Sequence, residues 1–275
     1  MTENLRMRSQ GALEWRRARV LNAWVDSITV ENVLDLLEDG GTLFTINPEH
    51  LYQLQRNAEF ARAYENATYV SCDSIYVHAA LKLLGRGIEH RASGSDIVPA
   101  YWRRHADNPA VKIFLLGAKP GVAEQARKRI NHSAGRAIVV GAYGPSFNLL
   151  EDDQETADAV DMINQSGATC LIVGLGAPKQ EIWIDRNRSR MPGVKVFMGV
   201  GATIDYEADA VRRAPKWMRH NGFEWIYRVV TEPRRYALRY ARNTEFLWLA
   251  LLDGLGLYRP PVMSTPPADP DATSR

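Results

Sequence analysis

Cysteine is scarce in this 275-residue chain: there are two, Cys72 and Cys170, each inside its own short apolar run. Two such cysteines make neither a disulfide framework nor a zinc cluster. The six histidines show no H-x-x-x-H spacing and no Cys-x-x-Cys companion, which excludes the common zinc motifs. No segment approaches the ~20 apolar residues of a spanning helix. The opening residues, MTENLRMRSQ, also lack the apolar run of a signal peptide, so a reducing, cytoplasmic setting is expected. An Asp-x-Asp pair that could hold a divalent ion is missing from every stretch expected to fold. The one strict match, Asp269-Pro270-Asp271, lies in a Pro-rich tail that reads as disordered. Neither a metal nor any other cofactor is expected.

What is present is an ordinary globular composition, 45% hydrophobic and 24% charged, enough for a sizeable core. The first ~20 residues read as a polar lead-in. Val30 to Leu37 has helical spacing and stops at Gly40-Gly41. Thr42 to Ile46 reads as a strand, followed by Asn47-Pro48 as cap and first position of a helix to about Tyr64. Tyr69 to Cys72 is a second strand with Asp73 at its exit, before a helix from Ile75 to Leu84. Further strands are expected at Val111 to Leu116, Ala137 to Val140 and Val194 to Val200, and further helices at Val122 to Ile130 and Thr156 to Gln165. This alternation predicts an α/β fold with a mostly parallel sheet and helices on both faces.

The most informative stretch is Ala168 to Glu181, ATCLIVGLGAPKQE. Cys170 to Val173 has the branched, apolar character of a strand buried on both faces. Gly174 and Gly176 permit a sharp turn, and Pro178 suits the first position of a helix. Lys179, Gln180 and Glu181 then stand at a helix N-terminus beside the carboxyl end of a central strand. Ligands bind at that edge of open α/β sheets, and free N–H groups there favour phosphate. Gly174-x-Gly176 after a strand also resembles part of a dinucleotide fingerprint, which makes an NAD(P)-dependent oxidoreductase an alternative. Against it, the third glycine is missing and no acidic ribose ligand follows.

Beyond Ala208 the character changes. Arg212 to Arg242 carries a net charge of +7 together with Trp217, Phe223, Trp225, Tyr227, Tyr236 and Tyr240, and the apolar run Phe246 to Leu252 follows. Arg235, Arg239 and Arg242 share one face if Arg234 to Leu252 is a continuous helix. A basic, aromatic helical region of this kind fits an anionic membrane surface. Nucleic acid is the alternative, weakened by the adjacent apolar run. The expected division is a catalytic core over 1–207, a basic helical appendage over 208–258, and a disordered tail over 259–275.

Several motifs together carry a resemblance: Thr45-x-Asn47, Asp73, Arg91-x-x-Gly94-x-Asp96, and Gly176-Ala177-Pro178-Lys179-Gln180-Glu181. To these are added Gly199-Val200-Gly201-x-x-x-Asp205, Arg213-Ala214-Pro215 and Glu224-Trp225-x-Tyr227-Arg228. Over about Leu43 to Arg242 the chain resembles the WecG/TagA/CpsF family of bacterial glycosyltransferases, glycosyltransferase family 26. The resemblance implies a Rossmann-like fold with a C-terminal membrane-docking appendage. It further implies an inverting enzyme, peripheral on the inner face of the cell membrane, that transfers a sugar from a UDP-sugar to a polyprenyl-diphosphate-linked sugar. N-acetylmannosamine, its uronic acid and glucose all suit the family as donor sugars. No residue selects among them, and a homo-oligomer is neither indicated nor excluded.

By the same resemblance Asp73 falls at the position of the general base that accepts the proton of the acceptor hydroxyl. Arg91 suits a bidentate grip on diphosphate, and Thr45, Asn47 and Gln180 suit hydrogen bonds to sugar or diphosphate. Gly176, Lys179 and Asp205 lie in the matching motifs. Arg212, Arg219, Arg228, Arg234 and Arg235 are candidates for leaving-group or lipid-phosphate contacts, the work a metal does in other nucleotide-sugar transferases. Two departures stand out. Ser74 and Tyr76 replace small residues beside the base, which would reshape the acceptor pocket. Asp209 stands where glycine is frequent, at a turn that would need a positive φ.

Overall fold

The computed structural model describes residues 4–211, 214–215, 218, 223–231, 233 and 244–261. Where a polar lead-in was expected, the chain forms β1 (Leu5–Gln10), β2 (Leu13–Val20) and β3 (Ala23–Asp26), an antiparallel meander. Trp15, Ala18 and Val20 of β2 are buried, but Arg16, Arg17 and Arg19 lie among them and hide the apolar pattern. β1 is the outer strand, and charged side chains along it discourage pairing with another chain.

Then follow α1 (Val30–Leu36), β4 (Gly41–Ile46), α2 (Pro48–Leu54) and α3 (Ala58–Glu65). The single helix expected from Asn47 to Tyr64 is therefore two. Asn57 caps the second by accepting the Phe60 N–H at 3.0 Å, just as Asn47 caps the first through Glu49 N–H at 3.0 Å. β5 (Tyr69–Cys72) and α4 (Ile75–Leu83) match expectation. α5 (Gly94–Arg104) was not foreseen, because it starts on a glycine and contains Pro99. Gly94 is required for closeness: a Cβ there would lie 2.8 Å from the Val200 Cβ.

The second half alternates regularly: β6 (Ile113–Gly117), α6 (Val122–Ala134), β7 (Val139–Tyr143), α7 (Asp153–Gln165) and β8 (Cys170–Gly174). It continues with α8 (Lys179–Asn187), β9 (Val196–Gly199) and the short α9 (Thr203–Glu207). Pro178 is the cap of α8 rather than its first residue, a one-residue shift. Asp209 does adopt a positive φ, 58°.

The nine strands form one sheet in the order β1-β2-β3-β5-β4-β9-β8-β6-β7, parallel from β3 onward. Successive residues of β4 feed opposite faces. Phe44 and Ile46 join one apolar cluster with Phe60 and Trp183, while Leu43 joins the other with Tyr101, Ile172 and Met198. This is the α/β sandwich the alternation predicts.

Near the C-terminus lie α10 (Glu224–Thr231) and α11 (Glu245–Gly254). α11 inserts Phe246 and Ala250 into the first cluster, and Arg56–Glu245 and Arg86–Asp253 ion pairs at 2.6 and 2.5 Å bracket it. Leu247, Trp248 and Leu251 of the same helix face outward, exposed. α11 begins at Glu245, so the helix does not run unbroken through Thr244, and residues 234–243 lie outside the described set.

Candidate active site

Because β3 to β9 run parallel, their carboxyl ends share one edge of the sheet. The exits of β4, β5, β8 and β9 bring Asn47, Asp73, Gly176 and Gly201 to that edge. β4 and β5 are held in register by pairs Thr45↔Ser71 and Ile46↔Cys72, and the Asp73 N–H donates to the Ile46 carbonyl at 3.0 Å. Asp73 is half-buried at this exit. It is not the cap of α4: Ser74 is, with its hydroxyl accepting the Tyr76 N–H at 3.2 Å. The residue that departs from the small side chain expected beside the base thus has a local task. Tyr76 is exposed.

Arg91 lies on the surface next to this exit. Burial pushes the Cys72 thiol up to about 12, with Asp73 adding to the rise and Arg91 opposing it, so both charged groups flank one sulfur. Thr45 is buried, and its carbonyl accepts from both His50 Nδ1 at 2.6 Å and the Tyr64 hydroxyl at 2.7 Å. A carbonyl only accepts, so the His50 proton is assigned to Nδ1. Tyr64 is fully buried and its phenol is raised well above its usual range by burial, then by Glu181 and Asp73.

Across β9, Gln180 is buried rather than displayed. Its Oε1 accepts the Gly176 N–H at 3.2 Å and the Gly201 N–H at 3.1 Å, and its Nε2 donates to Glu181 Oε1 at 2.8 Å. One amide thereby joins the turn after β8 to the turn after β9. Lys179 reaches back to the loop after β7, donating to the Phe147 carbonyl at 2.5 Å with its ammonium 3.4 Å from the Phe147 ring centroid. Asp205 lies half-buried in α9.

The described residues therefore bring Thr45, Asn47, Asp73 and Arg91 to one part of the edge and Gly176, Lys179 and Gln180 to the neighbouring part. Arg212, Arg219, Arg234 and Arg235 lie outside the described residues, and of Arg228 only its place in α10 is described. Tyr64 and His50 received no role from the sequence, and Glu181 entered only as part of the Lys179-Gln180-Glu181 turn expected to face a ligand. An acidic residue in a first helical turn is commonplace, and nothing in the letters shows that this one is wholly buried. Among the described residues, no three of His, Cys, Asp and Glu gather to hold a metal ion, and no helix is long and apolar enough to cross a membrane.

The family model described as the glycosyl transferase WecG/TagA/CpsF family matches residues 18–260, a wider span than the motifs alone delimit. That span starts within β2, runs past α11 and includes every strand exit at the shared edge. The chain belongs to the WecG/TagA/CpsF family of glycosyl transferases.

Proposed function

We propose that the protein is an inverting glycosyltransferase that moves a sugar from a UDP-sugar onto a polyprenyl-diphosphate-linked sugar in cell-surface polysaccharide synthesis. The observation that carries the mechanism is the placement of Asp73: a half-buried carboxylate at the carboxyl edge, with Ser74 performing the capping that would otherwise explain it. Asp73 takes the proton of the acceptor hydroxyl, whose oxygen forms a bond to the anomeric carbon from the face opposite the departing UDP. The bond from that carbon to the diphosphate breaks, and the configuration inverts. Arg91 and arginines of the 212–235 segment stabilise the charge that collects on the diphosphate, without a metal. The oxidoreductase and nucleic-acid readings gain no comparable support from family membership.

The segment over 208–258 docks the enzyme on the inner face of the membrane, where a lipid-linked acceptor presents its sugar. Support comes from the charge of the Arg212–Arg242 stretch and from the outward apolar face of α11. Incubating purified protein with UDP-N-acetylmannosamine, its uronic acid form and UDP-glucose, each with a synthetic lipid-diphosphate sugar, tests the reading by mass spectrometry. One added glycosyl unit of the donor's own mass on the lipid product is expected, undiminished by EDTA. Absence of product with every donor would refute the transfer, and abolition by EDTA would refute the metal-free mechanism.

A further inference from the structure

Beneath the cleft a second carboxyl lies near Tyr64. Glu181, in the first turn of α8, is fully buried. Its Oε1 accepts from Gln180 Nε2 at 2.8 Å, while its Oε2, equally buried, has no hydrogen-bond partner among the described residues. Gln180 in turn holds two backbone N–H groups, those of Gly176 and Gly201, whose φ values are +79° and +58°. Reversing the amide would set its NH2 against both N–H donors and its oxygen against the carboxyl oxygen, so all three bonds would be lost. Only one orientation satisfies the set, and the carboxyl fixes the amino end of it.

We propose that Glu181 is a positioning residue: its buried carboxyl locks the Gln180 amide so that the Gly176 and Gly201 turns are clamped together as the donor side of the cleft. The clamp stands independently of the reaction, and its effect on donor binding rests on the glycosyltransferase reading above. The surroundings make the clamp responsive to pH. From α3, Tyr64 faces the carboxyl, while Glu59 and Arg62 on that helix pair with Arg186 and Asp185. His50 of α2 sits behind Tyr64, Asp73 lies beyond it at the β5 exit, and β8 and β9 bring no charged side chain. On α8 itself Lys179 is turned to Phe147. With Arg62, Arg186 and Lys179 all engaged elsewhere, burial pushes the Glu181 carboxyl up to about 7, with the Gln180 bond and the residue's own backbone N–H opposing. It therefore ionises near neutrality, adding a negative charge under a site that must accept a diphosphate.

The test uses the full-length protein, Glu181→Gln, which keeps an acceptor oxygen without charge, and Glu181→Ala, which removes both. Amide signals of Gly176 and Gly201 are followed by NMR from about pH 6 to about pH 8.5, spanning the ionisation. Both should titrate together near 7 in the parent and stay fixed in Glu181→Gln. In Glu181→Ala both glycine amides should exchange with solvent faster, whereas other α8 amides should not. UDP-glucose affinity, read by calorimetry, should weaken roughly threefold to tenfold over that range in the parent and hold steady in Glu181→Gln. Glycine signals that do not titrate in the parent, or that titrate alike in Glu181→Gln, would overturn the inference even if Glu181→Ala fails to fold. A protein whose glycines titrate as stated but which never binds UDP-glucose would keep the clamp and sink the donor reading instead.

Discussion

At the scale of single residues, a wholly buried carboxyl that forms no ion pair among the described residues links stability to pH. The folded state holds the Glu181 proton up to about 7, whereas the unfolded chain releases it near the ordinary glutamate value. Between those values the folded state binds more protons, so stability is greatest below the unfolded value and declines as pH rises through the folded one. The loss amounts to roughly 3 kcal/mol at most by the time both states are ionised. Urea denaturation at mildly acidic and mildly alkaline pH checks this. The parent midpoint should fall on going alkaline, and Glu181→Gln should remove most of that fall. A fall of equal size in both proteins would contradict the burial argument. The letters Lys-Gln-Glu made this turn conspicuous, but they pointed outward to a ligand. Burial of Gln180 and Glu181 accompanies the packing of α3 against α8, a tertiary fact with no local signature.

At the scale of elements, the strands that feed the site were readable because β4, β5, β8 and β9 are short apolar runs with turn residues at their exits. Elements whose identity depends on distant partners were not. β1 and β2 are rich in arginine, and their apolar residues find a core only against the rest of the sheet. α5 begins with glycine and holds proline, yet Ile97, Val98, Tyr101 and Trp102 give it a buried face. Asn47 illustrates how one residue serves two levels. Its side chain accepts the Glu49 and His50 N–H groups at 3.0 and 3.3 Å, opening α2 and so orienting the β4 exit. Asn47→Ala should cost about 1 kcal/mol, and Asn47→Asp, which keeps the accepting oxygen, much less. Thermal melts of the two variants check this. Equal losses would mean that the cap is not what holds this end of α2. Transfer assays on Asn47→Asp then separate the cap from any contact with substrate.

At the scale of the whole molecule, α11 has two faces with different partners. Phe246 and Ala250 belong to the main apolar cluster, while Leu247, Trp248 and Leu251 remain exposed, Trp248 by 60%. The outward residues bury little area and so add little to folding, and their exposure suits docking on lipid. Trp248→Glu should leave the melting temperature within a few degrees and reduce co-sedimentation with anionic vesicles. Undiminished vesicle binding would remove this face from the docking surface. High salt should release the parent only partly, because apolar contact is not screened. The proposed transfer turns on one chemical event, proton removal at the sheet edge, with Asp73 as the proposed base. Single-turnover transfer by Asp73→Asn, at a donor concentration shown by calorimetry to saturate both proteins, tests that role. The variant should fold and bind the UDP-sugar normally yet transfer it slower by about a hundredfold or more; near-normal transfer would rule Asp73 out as the base.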